Sequence, residues 1–159
     1  MRLSGGVEWA VHCCVVLTAA RRPVPAARLA ELHDVSASYL AKQLQALARA
    51  GLVRSVQGQS GGYALTRDAR AVTVLDVVEA IEGTGRAFAC TEIRRRGPLA
   101  APPEACTVPC GVARAMWAAE DAWRASLRSV TIADLAEGLR GRSGTDVLGT
   151  VGRWLSPEG

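Results

Sequence analysis

The sequence predicts a mainly α-helical protein: a winged helix-turn-helix followed by a long dimerisation helix. Three observations predict this fold. Apolar residues recur at helical spacing on both sides of a short turn at residues 34–35. The period then changes to two short strand-like runs around a glycine-rich stretch. A long apolar seam of helical spacing lies further along the chain. Two helices across a tight turn, followed by a hairpin, are typical of a winged helix.

Length and composition exclude several classes of protein. The 159 residues suffice for a compact domain that needs no disulfide or metal merely to fold. With 49% hydrophobic and 21% charged residues the chain is not disordered, and no uncharged apolar run is long enough to span a membrane. The apolar segment from Met1 to Ala20 is interrupted by Glu8 and His12, so we expect a buried helix rather than an export signal. Five clustered cysteines without such a signal indicate a cytoplasmic protein.

Local sequence signals indicate where the predicted helices begin and end. Ser4, Ser36 and Thr73 are expected N-caps, and Gly51 and Gly83 are expected helix ends. The predicted elements are, in order, helices over 4–20, 26–33 and 36–50, strands over 52–56 and 63–65, and helices over 74–82, 112–130 and 131–139.

These elements suggest four parts of the chain. They are a DNA-binding domain over 1–83, a loop rich in cysteine and proline over 84–110, a dimerisation helix with a short following helix over 111–139, and a glycine-rich tail over 140–159. Within the tail, Trp154 and Leu155 are expected to dock back onto the protein. The seam of the long helix comprises Val112, Met116, Ala119, Trp123, Leu127 and Val130. A winged helix has little spare core to cover this seam, which favours a homodimer over packing on its own domain.

The net charge of +4 is concentrated in one segment. Residues 36–72 hold five basic residues and one acidic residue, whereas charges in the rest of the chain cancel. This distribution fits a surface that faces DNA phosphates, although a merely solvated basic face remains the alternative.

Particular motifs carry a resemblance to a known family. They are Ser38-Tyr39-Leu40, Leu47, Ala50-Gly51-Leu52-Val53-Arg54-Ser55, Gly58, Gly61-Gly62-Tyr63 and Leu65. Over roughly residues 1–130 the chain resembles the iron–sulfur-responsive winged-helix regulators of the IscR, NsrR and RirA kind, and among them the redox regulators of the RsrR kind. The resemblance implies a homodimer in which a cluster sits where the cysteine loop of one subunit approaches the first helix of the other. The RsrR kind implies a 2Fe–2S cluster with mixed ligands.

The cysteine spacing departs from the common family pattern. Fifteen residues separate Cys90 from Cys106, and three separate Cys106 from Cys110, so a ligand set of three cysteines is doubtful. Glu8 and His12, four apart on one face of an apolar helix, need partners. A simple hydrogen bond between them would satisfy this need. With two loop cysteines, they would instead complete the four ligand positions of a 2Fe–2S cluster.

The choice of cysteines rests on position. Cys110 stands at the N-terminus of the long helix, where a thiolate is favoured, and Cys90 lies at the other end of the loop. Cys106 is the alternate ligand. Cys14 falls on the core stripe of the first helix, and Cys13 points away from the face of Glu8, so we expect neither to bind metal.

Mixed ligation would have a chemical consequence. Two thiolates, one carboxylate and one neutral imidazole leave an oxidised core less negative than four thiolates do, so an electron is added at lower cost. We therefore expect sensing by cluster redox state. Trp9 follows Glu8 and is a candidate for movement when the cluster charge changes, with interface packing as the alternative.

The N-terminal turns of the third helix are expected in the major groove, with the wing at the minor groove or the phosphates. The candidate DNA contacts are Ser36, Ser38, Tyr39 and Gln43 near the bases, Lys42, Arg49 and Arg54 at phosphates, and Gln57 and Gln59 at the wing tip. A dimer should read double-stranded DNA at two inverted half-sites roughly 34–36 Å apart.

Four alternatives compete with the redox sensor. In two of them the same DNA-binding fold carries structural zinc, or responds to cluster assembly rather than to redox state. A winged helix used for protein contact would not bind duplex DNA in a salt-dependent manner. An enzyme using Cys13 or Cys14 beside His12 as a nucleophile lacks an oxyanion loop and a third catalytic member. We expect no enzymatic activity.

Overall fold

The computed structural model describes residues 3–58, 61–141 and 146–156. These residues confirm the mainly helical winged-helix prediction. The elements are α1 (Gly5–Leu17), α2 (Ala26–His33), α3 (Ala37–Arg49), β1 (Val53–Val56), β2 (Gly62–Leu65), α4 (Val74–Glu82), α5 (Gly111–Arg128), α6 (Ile132–Gly141) and α7 (Val147–Leu155). The chain divides into two compact units, of which one is residues 85–126 and the other holds the described residues up to 84 and from 127. No helix within the described ranges is long and apolar enough to cross a membrane.

The helix-turn-helix is formed by α2 and α3. Asp34 adopts a left-handed conformation (φ 51°) that ends α2, and the Ser36 hydroxyl accepts the Tyr39 N–H at 3.3 Å to cap α3. Leu40 and Leu44 are fully buried on the inner face of α3. Cap and apolar stripe thus orient the outer face of α3 towards solvent.

The wing is an antiparallel hairpin in which Val53 pairs with Leu65 and Val56 with Gly62. Val24, ahead of α2, exchanges two backbone hydrogen bonds with Tyr63, of 2.9 and 2.8 Å. Gly62 has a φ of 154°, and a Cβ there would lie 2.3 Å from the Val24 carbonyl carbon. Only glycine therefore allows the hairpin to pack against the segment before α2.

The first helix differs from the prediction at both ends. α1 ends at Leu17 rather than Ala20, and Ser4 does not cap it through its side chain. Instead the Ser4 N–H and hydroxyl both donate to Glu82 Oε1, at 2.8 and 2.6 Å, which fixes the start of α1 to the end of α4. The predicted cap of α4 is confirmed, since Thr73 and Asp76 form a reciprocal capping box.

The tail contains α7, a helix that the sequence analysis did not predict. Asp146 caps it by accepting the Gly149 N–H at 2.8 Å. The Arg28 guanidinium lies 3.4 Å from the centroid of the Trp154 ring and donates to the Trp154 carbonyl at 2.9 Å. With Leu155 buried as well, the predicted docking of Trp154 and Leu155 is confirmed.

Candidate metal centre and nucleic-acid interface

Cys90 and Cys110 form a close thiol pair, which we call the dithiol. Their Sγ atoms lie 3.6 Å apart within the unit of residues 85–126. Two thiolates at about 2.3 Å from one tetrahedral metal ion would be separated by about 3.8 Å. The dithiol therefore fits two ligands of a single iron in an iron–sulfur cluster, or of a single zinc ion.

The two thiols of the dithiol differ in acidity. The Ala113 N–H, at the N-terminus of α5, donates to Cys110 Sγ at 3.3 Å. That hydrogen bond, followed by the one from Cys90, lowers the pKa of Cys110. The Glu92 backbone acts to lower the pKa of Cys90, but the bond to Cys110, desolvation and the neighbouring negative groups outweigh it and raise that pKa. Cys110 is thus the first of the pair to become a thiolate.

An arginine ties the two ends of the cysteine loop together. Arg94 Nε donates to Glu92 Oε2 at 2.8 Å, and its terminal nitrogen donates to the Val108 carbonyl. The bond to Arg94 is the main reason why the pKa of Glu92 is lowered. Because Glu92 lies two residues after Cys90 and Val108 two residues before Cys110, Arg94 links the two segments that flank the dithiol. The sequence analysis missed both Arg94 and Glu92, whose only signal is their short spacing from Cys90.

Cys106 lies outside the bonded pair. It ends a short 3-10 turn over Pro103–Cys106 and is partly exposed. With Cys90 it lines a cavity of about 540 Å³. This position is compatible with its status as the alternate ligand.

Glu8 and His12 are exposed, although their apolar helix had suggested burial. They lie one turn apart on α1, as predicted, and are therefore accessible to a partner. Cys13 and Cys14, on the same helix, are fully buried, and burial raises the pKa of each to about 12. Such thiols are poor nucleophiles and poor metal ligands.

Trp9 and His12 contact a histidine that the sequence analysis missed. The ring centroid of His33 is 5.9 Å from that of Trp9 and 6.0 Å from that of His12. Burial, followed by the charge of His12, lowers the pKa of His33. Its Nε2 is buried and has no hydrogen-bond partner among the described residues. His33 ends α2, a position that gave no sequence signal for contact with α1.

The four predicted metal ligands lie in two separate pairs, each of which is one half of the predicted site. Across the described ranges of one chain, no three His, Cys, Asp or Glu side chains gather closely enough to hold a metal ion. The dithiol is one half, and Glu8 with His12 is the other.

The outer face of α3 and the wing present most of the predicted DNA contacts. The exposed residues are Ser36, Ser38, Tyr39, Lys42, Arg49, Arg54 and Gln57. Gln59 lies outside the described residues. Gln43 does not lie on this face: it is 8% exposed, and a Cβ on Gly6 of α1 would be 2.6 Å from its side-chain oxygen. Gln43 is three residues after Leu40, on the core stripe, whereas Gln45 is exposed and was missed.

Two of the five basic residues between 36 and 72 form ion pairs. Arg67 pairs with Asp76 at 3.5 Å and Arg70 with Glu137 at 3.1 Å. Their charges are therefore partly neutralised by the protein itself. The positive charge of the α3 and wing face comes mainly from Lys42, Arg49 and Arg54.

Comparison with known proteins identifies relatives of the same architecture. A family model described as Rrf2, iron-dependent transcriptional regulator, matches residues 3–138. The HTH-type transcriptional regulator IscR of Escherichia coli O1:K1 / APEC is 37% identical over 92 residues, which cover 57% of this chain and 57% of IscR. The chain thus spans little more than half the length of the curated relatives it matches.

Solved structures show the same fold. CymR (YrzC), the global cysteine regulator of B. subtilis, superposes with a TM-score of 0.67 at 23% identity, covering 87% of this chain and 98% of CymR. IscR of T. potens superposes with a TM-score of 0.61 at 24% identity, covering 87% and 88% of the two chains.

Proposed function

The chain belongs to the Rrf2 family of iron-dependent transcriptional regulators, and from this premise we propose that it is a homodimeric DNA-binding regulator that senses redox state through a 2Fe–2S cluster. The proposed ligands are Cys90 and Cys110 of one subunit with Glu8 and His12 of the partner subunit. The observation that carries the proposal is the 3.6 Å separation of the Cys90 and Cys110 sulfurs, which suits two thiolates on one metal ion.

A site shared between subunits would account for the exposure of Glu8 and His12 and for the partial exposure of the dithiol. Glu8 and His12 face solvent on one protomer. The α5 seam is also exposed, with Val112 at 64% and Met116 at 46%. A dimer joined by this seam would cover apolar surface that a single protomer leaves in water. The proposed parts are then a DNA-binding domain over 1–83, a cluster-binding loop over 84–110, a dimerisation segment over 111–139 and a tail over 140–159.

The protein's groups would set how the site responds to an electron. A bound 2Fe–2S cluster supplies one-electron redox chemistry. The Ala113 N–H lowers the pKa of Cys110 and so favours its thiolate, and the Cys90 sulfur lies 3.6 Å away. Glu8 and a neutral His12 add one negative charge where two further thiolates would add two. The smaller total negative charge favours reduction without loss of the ligands.

DNA recognition would use the exposed face of α3 and the wing. Ser38, Tyr39 and Gln45, all exposed, would reach base edges. Lys42, Arg49 and Arg54, also exposed, would contact phosphates, with Gln57 at the wing. Ser36 contributes as the cap that positions the first turn of α3. The expected site is an inverted repeat in double-stranded DNA, read by both subunits.

The same dithiol also suits zinc, the second candidate metal. The family description as iron-dependent favours iron over zinc. A regulator that responds to cluster assembly would use the same ligands, but it would lose its metal during the response rather than change oxidation state.

The test is an ultraviolet–visible spectrum of protein purified without oxygen, before and after dithionite. Visible bands that bleach and return on reoxidation are expected. They should be lost or shifted in Cys90→Ala, Cys110→Ala, Glu8→Ala and His12→Ala, and retained in the control Cys106→Ala. A colourless protein that contains zinc would contradict redox sensing, and bands lost irreversibly on one redox cycle would favour sensing by cluster assembly.

A further inference from the structure

Three consecutive residues ahead of Cys90 are each bonded to the side of α5. Arg86 forms an ion pair with Asp121 at 3.1 Å. The Ala87 N–H donates to Glu120 Oε2 at 3.1 Å. The Phe88 carbonyl accepts from the indole N–H of Trp117 at 3.2 Å. We call this set of bonds the α5 clasp.

Glu120 is the least expected member of the clasp. It is 6% exposed, on a helix where a buried carboxylate costs free energy unless it is paired and hydrogen-bonded. One oxygen accepts the Ala87 N–H, and the other lies 3.5 Å from the Arg124 guanidinium. An apolar side chain would fill the space at lower cost. What the carboxylate adds, and an apolar side chain lacks, is an oxygen that accepts the Ala87 backbone N–H.

Trp117 adds a second directional bond one residue further along. Its indole N–H fixes the Phe88 carbonyl, while the Arg86 guanidinium lies 5.6 Å from the ring centroid. The chain is thus fixed on both sides of the Ala87–Phe88 peptide, by Glu120 at the Ala87 N–H and by Trp117 at the Phe88 carbonyl. Two restraints on peptides that flank one another in this way define both the position and the direction of the chain as it leaves towards Cys90.

The clasp and the dithiol share one rigid reference, which is α5. Trp117, Glu120 and Asp121 lie at i, i+3 and i+4 on one face of this helix. Cys110 immediately precedes the same helix and is bonded to its first turn through Ala113. Both cysteines are therefore anchored to α5, Cys110 directly and Cys90 through the clasp that ends two residues before it.

We infer that Glu120 and Trp117 are positioning residues for the Cys90 thiol, and that they hold it at the separation from Cys110 that one metal ion requires. The inference deepens the proposed function and rests on it for the identity of the ligands. It concerns the dithiol of the metal-free chain, so it can be tested without the cluster. A role limited to stabilising the fold would leave the proximity of the two thiols unchanged in variants that remain folded.

The test measures thiol proximity through exchange with glutathione. Two thiol hydrogens are given up as Cys90 and Cys110 form a disulfide, while the disulfide of oxidised glutathione is reduced to two thiols. The equilibrium constant of this exchange is an effective concentration of one thiol near the other. Metal-free, full-length Cys106→Ala protein is the background, which leaves the dithiol as the exposed pair. Mass spectrometry after acid quenching measures the oxidised fraction.

Glu120→Ala is expected to lower the effective concentration about tenfold, and Trp117→Phe, which loses one neutral hydrogen bond, about fivefold. Glu120→Gln keeps an oxygen acceptor for the Ala87 N–H and should stay within about twofold. Glu104→Ala, which removes an exposed carboxylate from the cysteine loop, is the control and should have no effect. Thermal unfolding identifies any variant that has lost its fold.

Retention of the native value in folded Trp117→Phe and Glu120→Ala would overturn the inference. An equal loss in Glu120→Gln and Glu120→Ala would overturn it for Glu120, because the acceptor oxygen would then be irrelevant. Failure of the proposed function is separate. It would appear as the absence of a reversible visible chromophore in the native protein, whatever the glutathione exchange shows.

Discussion

The unit of residues 85–126 buries two side chains, those of Ala113 and Glu120, whereas the other unit encloses a continuous apolar core. That core joins α1 to the helix-turn-helix through residues such as Ala10, Leu29 and Leu44, all of them buried. The cysteine unit is instead ordered by hydrogen bonds and ion pairs, among them those of Arg94 and Glu120.

The difference separates two tasks. A close-packed core opens reluctantly, which suits a surface that must present a fixed face to DNA. A segment fixed by a few polar bonds loses its geometry at lower cost, which would suit the proposed site that responds to a change of charge. The apolar seam left exposed on α5 is the surface that the proposed second subunit would cover.

The largest effect should come from the apolar core. Leu44→Ala removes a fully buried side chain and should lower the free energy of unfolding by about 2–5 kcal/mol. Leu99→Ala, at a position 96% exposed in the cysteine unit, should change it by less than about 0.5 kcal/mol. Urea denaturation measures both, and equal losses would break the comparison between the two units.

Charge on the α5 seam should dissociate the proposed dimer. Met116→Glu would bury a carboxylate in an apolar interface, so a monomer is expected at micromolar concentrations by light scattering. Ala118→Glu introduces the same charge away from the seam on the same helix and should leave the dimer intact. A Met116→Glu protein that stays dimeric would place the interface elsewhere.

A phosphate contact should be visible in the salt dependence of DNA binding. Lys42→Ala would remove one contact from each subunit, and the slope of log K against log salt concentration should fall by about 1.8 for a dimer. Arg114→Ala, on the exposed surface of α5, should leave the slope unchanged. A native slope in Lys42→Ala would remove this residue from the interface.

Thiol alkylation distinguishes the two units residue by residue. At pH 8, iodoacetamide should modify Cys90, Cys106 and Cys110 in metal-free native protein. Cys13 and Cys14 should stay unmodified until urea unfolds the chain, because burial raises the pKa of each to about 12. Peptide mass spectrometry reads out each site. Rapid modification of Cys13 in folded protein would contradict its burial.

The smallest effect concerns the Ser4–Glu82 contact. The Ser4 hydroxyl, followed by its N–H, lowers the pKa of Glu82 in the folded protein. The resulting stabilisation is therefore present above the unfolded pKa and is lost as the pH falls through the folded value. The unfolding free energy of Glu82→Gln should decrease slightly less than that of the native protein between pH 5 and pH 3. Parallel pH profiles of the two proteins would show that the Ser4–Glu82 contact adds nothing to the free energy of unfolding.

In the unit with the apolar core, the success of each prediction from the sequence depends on how local its signal is. The Thr73 and Ser36 N-caps are local signals, complete within four residues, and the structure confirms both. Gln43 was assigned to the DNA face although its spacing from Leu40 places it on the core stripe. α7 was missed because Gly149 and Gly152 weaken its helical signal.

The site is less predictable than the fold because its supports come from distant positions. The pairing of Cys90 with Cys110 followed from their places at the two ends of the loop. Glu120 reaches Ala87 across 33 positions, and nothing in the local pattern distinguishes it from an ordinary surface glutamate. His33 meets Trp9 and His12 only through the packing of α2 on α1.

The central claim is that each cluster is held by two subunits, and mixing of variants tests it most directly. Cys90→Ala/Cys110→Ala protein lacks one ligand pair, and Glu8→Ala/His12→Ala protein lacks the other, so neither homodimer should hold a native cluster. Subunit exchange between them creates heterodimers with one complete site. Anaerobic reconstitution of differently tagged, purified heterodimers should restore about half of the native reversible absorbance per dimer. Heterodimers that stay colourless would contradict a site shared between subunits.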